Sequence, residues 1–196
     1  MESIALKASL RKETGKKSSK SIRAQDNIPC ALYGGKENIN FFSAESEFRH
    51  LIYTPNVYII NIDIDGSVHN AIIKDLQFHP VTDKILHVDF YELSDDKRVV
   101  VEIPIKIKGS SIGVREGGKL VMDKRKVKVR GFYKDIPAHI EVDITELGVG
   151  KSIRAGEIIT DGKYEIVMIK DAPIISVRTT RAAVAAAAAQ IAAAKK

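Results

Sequence analysis

Tryptophan is absent from this chain of 196 residues, and cysteine occurs once, at Cys30. A lone cysteine excludes an internal disulfide and any multi-cysteine zinc site. Cys30 itself reads as a small buried apolar residue. No run of about 18 apolar residues is present, so no transmembrane helix and no membrane partner is expected. The opening MESIALKASLRK lacks the hydrophobic stretch of a signal peptide, which points to the cytoplasm. Long helical patterns are scarce too, and the second half has none of about 10 residues between its apolar runs, which argues against a doubly wound sheet.

What the chain does have is apolar, β-forming residues and unevenly placed charge. Hydrophobic residues make up 44%, with Val and Ile abundant, which favours strands. The net charge of +6 and pI near 9.3 suit an anionic partner. Its distribution is more telling. Residues 1–36 hold eight Lys/Arg against three Asp/Glu, whereas residues 37–96 hold three against eleven. Residues 97–178 hold seventeen against eleven. A basic beginning before an acidic stretch implies one charged face on the first domain.

Taken in order, Ser3 to Arg11 alternates, with Ile4, Leu6, Ala8 and Leu10 on one side, and predicts a strand. Gly15 breaks it. A short helix is expected from about Ser18 to Gln25, ended by Asp26-Asn27 and barred from continuing by Pro29. Strands follow at Ile28–Tyr33 and Ile39–Phe42. Ser43 is placed to cap a helix reaching about Tyr53, with Phe48, Leu51 and Ile52 on its apolar face. Val57–Ile64 and Ser67–Leu76 form a hairpin about Asp65-Gly66, a strong two-residue turn signal. Six strands and two short helices in this span predict a small barrel over residues 1–94. The polar run Ser94-Asp95-Asp96-Lys97 marks a boundary. Beyond it, residues 95–180 read as a separate all-β domain. Its first strand is Val99–Lys108, with Pro104 implying an edge position. Later strands are expected at Lys119–Met122, Lys126–Phe132, His139–Ile144, Tyr164–Ile169 and Ile174–Val177. Residues 181–196 form an Ala-rich tail, expected to be mobile or partly helical. The fold class is thus mainly β (α+β).

Three enzyme-like motifs fail in context. Gly109-Ser110-Ser111-Ile112-Gly113 matches G-x-S-x-G, but no helix-forming stretch follows to expose the serine. Gly148-Val149-Gly150-Lys151-Ser152 resembles the end of a phosphate-binding loop, yet Thr145 stands where the first Gly belongs. Gly113 to Lys119 lacks the hydroxyl, since Leu120 occupies the Ser/Thr position. His79, His87 and Asp89 lack a convincing metal-ligand arrangement. No paired carboxylates suggest an enzyme acting on RNA. No cofactor and no small-molecule substrate are expected.

The most informative run is Gln77 to Phe90, QFHPVTDKILHVDF. It breaks at His79-Pro80 and resumes as a strand in which Leu86, Val88 and Phe90 are expected on one face. His87 and Asp89 then share the other as a polar platform. Placed with Arg11 in KASLR, Arg23 in SKSIRAQDNIP and Tyr33 in IPCALYG, the His87–Asp89 pair resembles the CTC family of bacterial large-subunit ribosomal proteins, which bind 5S ribosomal RNA. The likeness extends into GVREGGKLV and IPAHIEVDITEL of the second half. It implies an N-terminal β-barrel related in shape to an anticodon-binding domain of a tRNA synthetase, and a separate C-terminal β domain. It also implies a partner, 5S RNA in the large subunit, with neighbouring ribosomal proteins around it. Where the family usually has Gly before the Ile-Pro step, this chain has Asp26.

On that resemblance Arg11 and Arg23 contact phosphates. Lys16, Lys17 and Lys20 add attraction without sequence information. Tyr33 bonds a sugar or phosphate or stacks on a base. Gln77, at the head of the most specific run, joins the set. His87 donates to a phosphate or 2′-hydroxyl. Asp89, which phosphate repels, accepts from a base amine or a 2′-hydroxyl, or orients a neighbouring donor. The rival reading is a nonribosomal stress-response protein whose acidic half binds a protein partner.

Overall fold

The computed structural model describes residues 2–160 and 162–180; the Ala-rich tail, with the expectation of a mobile or partly helical end, lies outside them. The alternation of Ile4, Leu6 and Ala8 becomes β1 (Ser3–Leu10). Leu6 is fully buried, while Leu10 sits half-exposed at the rim. Gly15 has φ +119°, a backbone that L side chains avoid, and starts α1 (Lys16–Ala24). Asp26 ends this segment at φ +53°, so Asp does adopt the left-handed geometry there. β2 (Asn27–Tyr33), β3 (Ile39–Ala44) and α2 (Glu45–Ile52) follow. The Asp65-Gly66 turn has φ of +48° and +93°, both positive as a tight hairpin requires, and joins β4 (Ile59–Ile64) to β5 (Ser67–Phe78). β6 (Ile85–Glu92) completes the set.

These six strands close into a barrel in the order β1-β3-β2-β6-β5-β4, with β4 returning to β1 in parallel. Closure removes free strand edges. The interior is filled by Leu6, Leu32, Phe41, Ile62, Val88 and Phe90, and α2 adds Phe48 and Leu51 to the same cluster. The Phe41 and Phe90 rings lie 5.5 Å apart between centroids, and Phe48 and Phe90 6.4 Å.

Two expectations about this half need correction. Ser43 does not cap α2. β3 stays paired to β2 through Ala44, so the backbone at Ser43 is still extended, and its buried hydroxyl instead donates to the Lys7 carbonyl at 2.6 Å. Leu86 is not inward with Val88 and Phe90. Gln77 stands opposite His87 but Phe78 stands opposite Ile85, so Leu86 is an extra residue in a β-bulge. The bulge shifts the face: Ile85 is buried, and Leu86 only half-buried.

By its contacts the chain divides into two units: residues up to Val101 together with Phe132–Ala138, and Glu102–Gly131 together with the described residues from His139 onward. Phe132–Ala138 is tied into the first unit. Tyr133 donates to Asp95 at 2.6 Å, Lys134 pairs with Asp95 at 2.9 Å, and the Arg98 guanidinium lies over the Phe132 ring.

The remaining strands are β7 (Val99–Lys108), β8 (Lys119–Met122), β9 (Lys126–Gly131), β10 (Ile140–Asp143), β11 (Ser152–Arg154), β12 (Tyr164–Ile166) and β13 (Pro173–Arg178). One helical turn, α3 (Ile112–Arg115), interrupts them. They form two sheets, β10-β7-β9-β12 and β11-β13-β8. β7 is therefore interior, not the edge strand that Pro104 implied. The proline is tolerated because β10 pairs with β7 only from Ile105 onward. Ile105 donates to Arg125, so the nitrogen of Pro104, one residue earlier, faces the opposite side, where no ladder has begun. β11 was not expected from the sequence; at three residues beside Gly150 it is too short to show alternation.

Candidate nucleic-acid interface

The outer face of the barrel around β6 collects most of the expected residues. Strand register sets Tyr33 beside Tyr91, Ala31 beside Asp89, and Gln77 beside His87. The Tyr33 and Tyr91 rings meet edge to face, 6.0 Å apart. His87 Nδ1 lies 2.9 Å from Asp89 Oδ1, both side chains being about a quarter exposed. That distance suits an ion pair, but the atoms are not aligned for a hydrogen bond, and the buried Nδ1 has no other partner. The side chains of Gln77 and Tyr33 also make no hydrogen bond among the described residues. Among those residues the buried Nδ1 of His87 is thus the one atom here left without the hydrogen bond that buried polar groups usually make.

The same face carries a residue that the sequence reading did not name. Asp75 stands directly opposite Asp89. Like charges opposite each other on a sheet are destabilising, so the pair needs a compensating charge or a function. Counting back from Gln77 opposite His87 would have found it. The local field is felt at Tyr33, whose phenol is held above its ordinary value by desolvation first, then by Asp89, Asp75 and Tyr91.

The basic residues gather beside this face. α1 carries Lys16, Lys17, Lys20 and Arg23, all exposed, and no acidic residue. Lys16, Lys20 and Arg23 recur at helical spacing and so share one side. Arg23 Nε donates to the Leu86 carbonyl at 3.0 Å. Leu86 is the bulge residue, left out of the ladder, so the bulge provides the acceptor that fastens α1 next to His87. Both terminal nitrogens of Arg23 remain unbonded within the described residues.

Arg11 is more committed. Its Nε donates to Glu13 O at 2.7 Å, and its Nη2 reaches Ser19 Oγ at 2.9 Å and Gly15 O at 3.3 Å. It therefore holds the loop before α1 in shape, and its Nη1 makes no hydrogen bond among the described residues.

The enzyme-like motifs are structural. Ser111 is buried; its hydroxyl donates to Leu147 O at 2.5 Å and caps α3 by accepting from Val114 N. Gly113 lies so close to Gly148 that an added Cβ would be 2.6 Å from its carbonyl carbon, so the two loops with enzyme-like sequences pack on each other. Burial, and then Asp89, push the Cys30 thiol far above its ordinary value, so it is no nucleophile. No cluster of metal-binding side chains occurs among the described residues. No helix among them is long and apolar enough to cross a membrane.

Two family models match successive parts of the chain. Residues 6–90 match the model of the ribosomal L25p family, and residues 98–181 that of the C-terminal domain of ribosomal protein TL5. A protein of Phocaeicola vulgatus named large ribosomal subunit protein bL25 is 44% identical over 195 residues, 96% of this chain and 98% of that one. The chain belongs to the ribosomal L25p family. Proteins of the same name from Bacteroides thetaiotaomicron and Porphyromonas gingivalis are each 42% identical, covering 96% and 95% of this chain and 98% of their own length. The L25p family is not a family of enzymes, which agrees with Ser111 and Cys30 being buried and engaged in the fold.

Proposed function

We propose that this L25p-family protein is a structural constituent of the bacterial large ribosomal subunit, in the cytoplasm, and that the outer face of its barrel binds 5S ribosomal RNA. The observation that carries the second part is the polar face of Gln77, Tyr33, His87 and Asp89, with the buried His87 Nδ1 lacking a hydrogen bond, beside a helix whose only charges are basic and which Arg23 fastens to that face. An RNA duplex has a wide, shallow minor groove lined by 2′-hydroxyls and base edges. A sheet face can lie across that groove while a basic helix runs along a phosphate strand. Lys16, Lys17, Lys20 and Arg23 supply the attraction, joined by the free Nη1 of Arg11. His87 donates to a phosphate or 2′-hydroxyl, and Tyr33 and Gln77 bond or stack on what the groove presents. Asp89 and Asp75 repel phosphate, so they favour only a pose that brings donors to them. This makes them elements of selection. Residues 1–94 would carry this site and residues 95–180 a second domain with its own role.

Titration of the full chain with 5S RNA and with an unrelated duplex tests the proposal. Three to five phosphate contacts at the barrel face contribute roughly −2 to −4 to the log–log salt slope, with 5S RNA bound more tightly at every salt concentration. Equal affinity for the two RNAs, or affinity indifferent to salt, would overturn it.

A further inference from the structure

In the second unit, β9 reads KVKVRG, with Lys126, Lys128 and Arg130 exposed and Val127 and Val129 buried. Same-face residues in a strand repeat every two positions, about 7 Å apart, so the three cations form a row. Lys124 and Arg125 lead into it, and no acidic residue occurs from 124 to 131. On the neighbouring strand β7, Lys106 and Lys108 are exposed. The acids of this sheet face are mostly engaged. Glu102 pairs with Lys128 at 3.6 Å, and Glu141 with Lys108 at 3.8 Å and His139 at 3.5 Å. Asp143 accepts from the backbone and hydroxyl of Thr145, which, with Lys108, holds its carboxyl below the usual range. Glu165 stands opposite Arg130 in register but makes no ion pair with it. Lys106, Lys126 and Arg130 have no partner among the described residues.

We propose that this face of the second unit, centred on Lys106, Lys126 and Arg130, docks on the phosphate backbone of RNA without reading its sequence. The face lacks what selection needs. It has no exposed aromatic side chain or open amide on β7 or β9; its cations outnumber the acids beside them, and most of those acids are already engaged. Such a surface gains affinity by releasing counterions and is indifferent to base identity. In a large-subunit protein the available polyanion is ribosomal RNA. That step rests on the ribosomal assignment and not on recognition of 5S RNA by the barrel.

The test uses the full chain and an unrelated RNA duplex. Combined replacement K106Q/K126Q/R130Q should make the log–log salt slope shallower by about 2 to 3, while the ratio of 5S to duplex affinity measured at high salt stays as in the parent. The control K119Q/K151Q/K163Q removes the same charge from exposed positions outside this face and should leave the slope nearly unchanged. An unchanged slope in the first variant, or an equal loss in both, overturns the proposal. If the triple variant melts early, K126Q and R130Q singly carry the test, each expected to remove about one unit of slope. Loss of the preference for 5S RNA in the parent would count against the barrel site and leave this result standing.

Discussion

Two histidine–carboxylate pairs stand on the β5–β6 ribbon, each with Nδ1 at 2.9 Å from a carboxylate oxygen. Their distances are the same and their surroundings differ. His69 and Glu92 are aligned for a hydrogen bond. An added Cβ on Gly35 would fall on Glu92 Oε2, so this carboxylate is wedged against the Gly34-Gly35 turn that Lys97 also holds, by donating to Gly34 O at 2.9 Å. This pair is part of the fold. His87 and Asp89 are misaligned, border a bulge and face open polar side chains. Distance alone does not distinguish the two pairs; alignment and neighbours do.

Removing the support beneath both pairs has the largest effect. Phe90 lies between Asp89 and Tyr91 and is fully buried against Phe41 and Phe48. Phe90→Ala should cost about 3–5 kcal/mol of stability, read as a lower denaturant midpoint, with RNA binding lost alongside. Arg23→Ala acts on one side only. It frees α1 from Leu86 and removes a charge next to His87, so affinity for 5S RNA and for an unrelated duplex should both fall, by about 1.5–3 kcal/mol. A drop confined to 5S RNA would mean that Arg23 reads bases.

The two histidines then separate the pairs directly. His69→Ala should lower stability by about 0.5–1.5 kcal/mol and leave RNA affinity in place. His87→Ala should weaken 5S binding while the melting temperature barely moves. The opposite pattern would reverse the assignment. The smallest effect is at Tyr33. Its phenol is raised above the ordinary value of 10.0, in part by Asp89. Folding holds that proton more tightly than the unfolded chain does, so stability present below the ordinary phenol range is lost as pH rises through the folded pKa. Asp89→Asn should bring the Tyr33 titration, followed by ring NMR, back toward the ordinary value. It should not return fully, since desolvation, Asp75 and Tyr91 remain.

Much of the barrel is legible in the sequence because its signals are local. Asp65-Gly66 fixes a hairpin, and Ile4, Leu6 and Ala8 show the period of a strand. The errors arise where pairing decides. Nothing in ILHVDF marks Leu86 as the extra residue, because a bulge belongs to two strands and is visible only when both are aligned. Ser43 has the chemistry of a helix cap, but two neighbouring strands claim its backbone. Pro104 suggests an edge, and the strand order hides that its nitrogen faces a side where pairing starts one residue later. At the candidate site, Arg23, His87 and Asp89 are named from sequence as candidates, whereas the Leu86 carbonyl that accepts from Arg23 and the opposing Asp75 come only with register.

The central claim is that the barrel face selects its RNA through Asp89, and titration of Asp89→Ala tests it most directly. By Coulomb's law alone, losing a negative charge near RNA strengthens binding. A carboxylate that accepts a specific hydrogen bond acts the other way, since its loss leaves a donor unmatched. With the variant shown folded by thermal melting, affinity for 5S RNA should fall by about 1–3 kcal/mol, and affinity for an unrelated duplex should stay equal or rise slightly. If Asp89→Ala binds 5S RNA as tightly as the parent, the His87–Asp89 face is an ordinary solvated strand and the account is wrong.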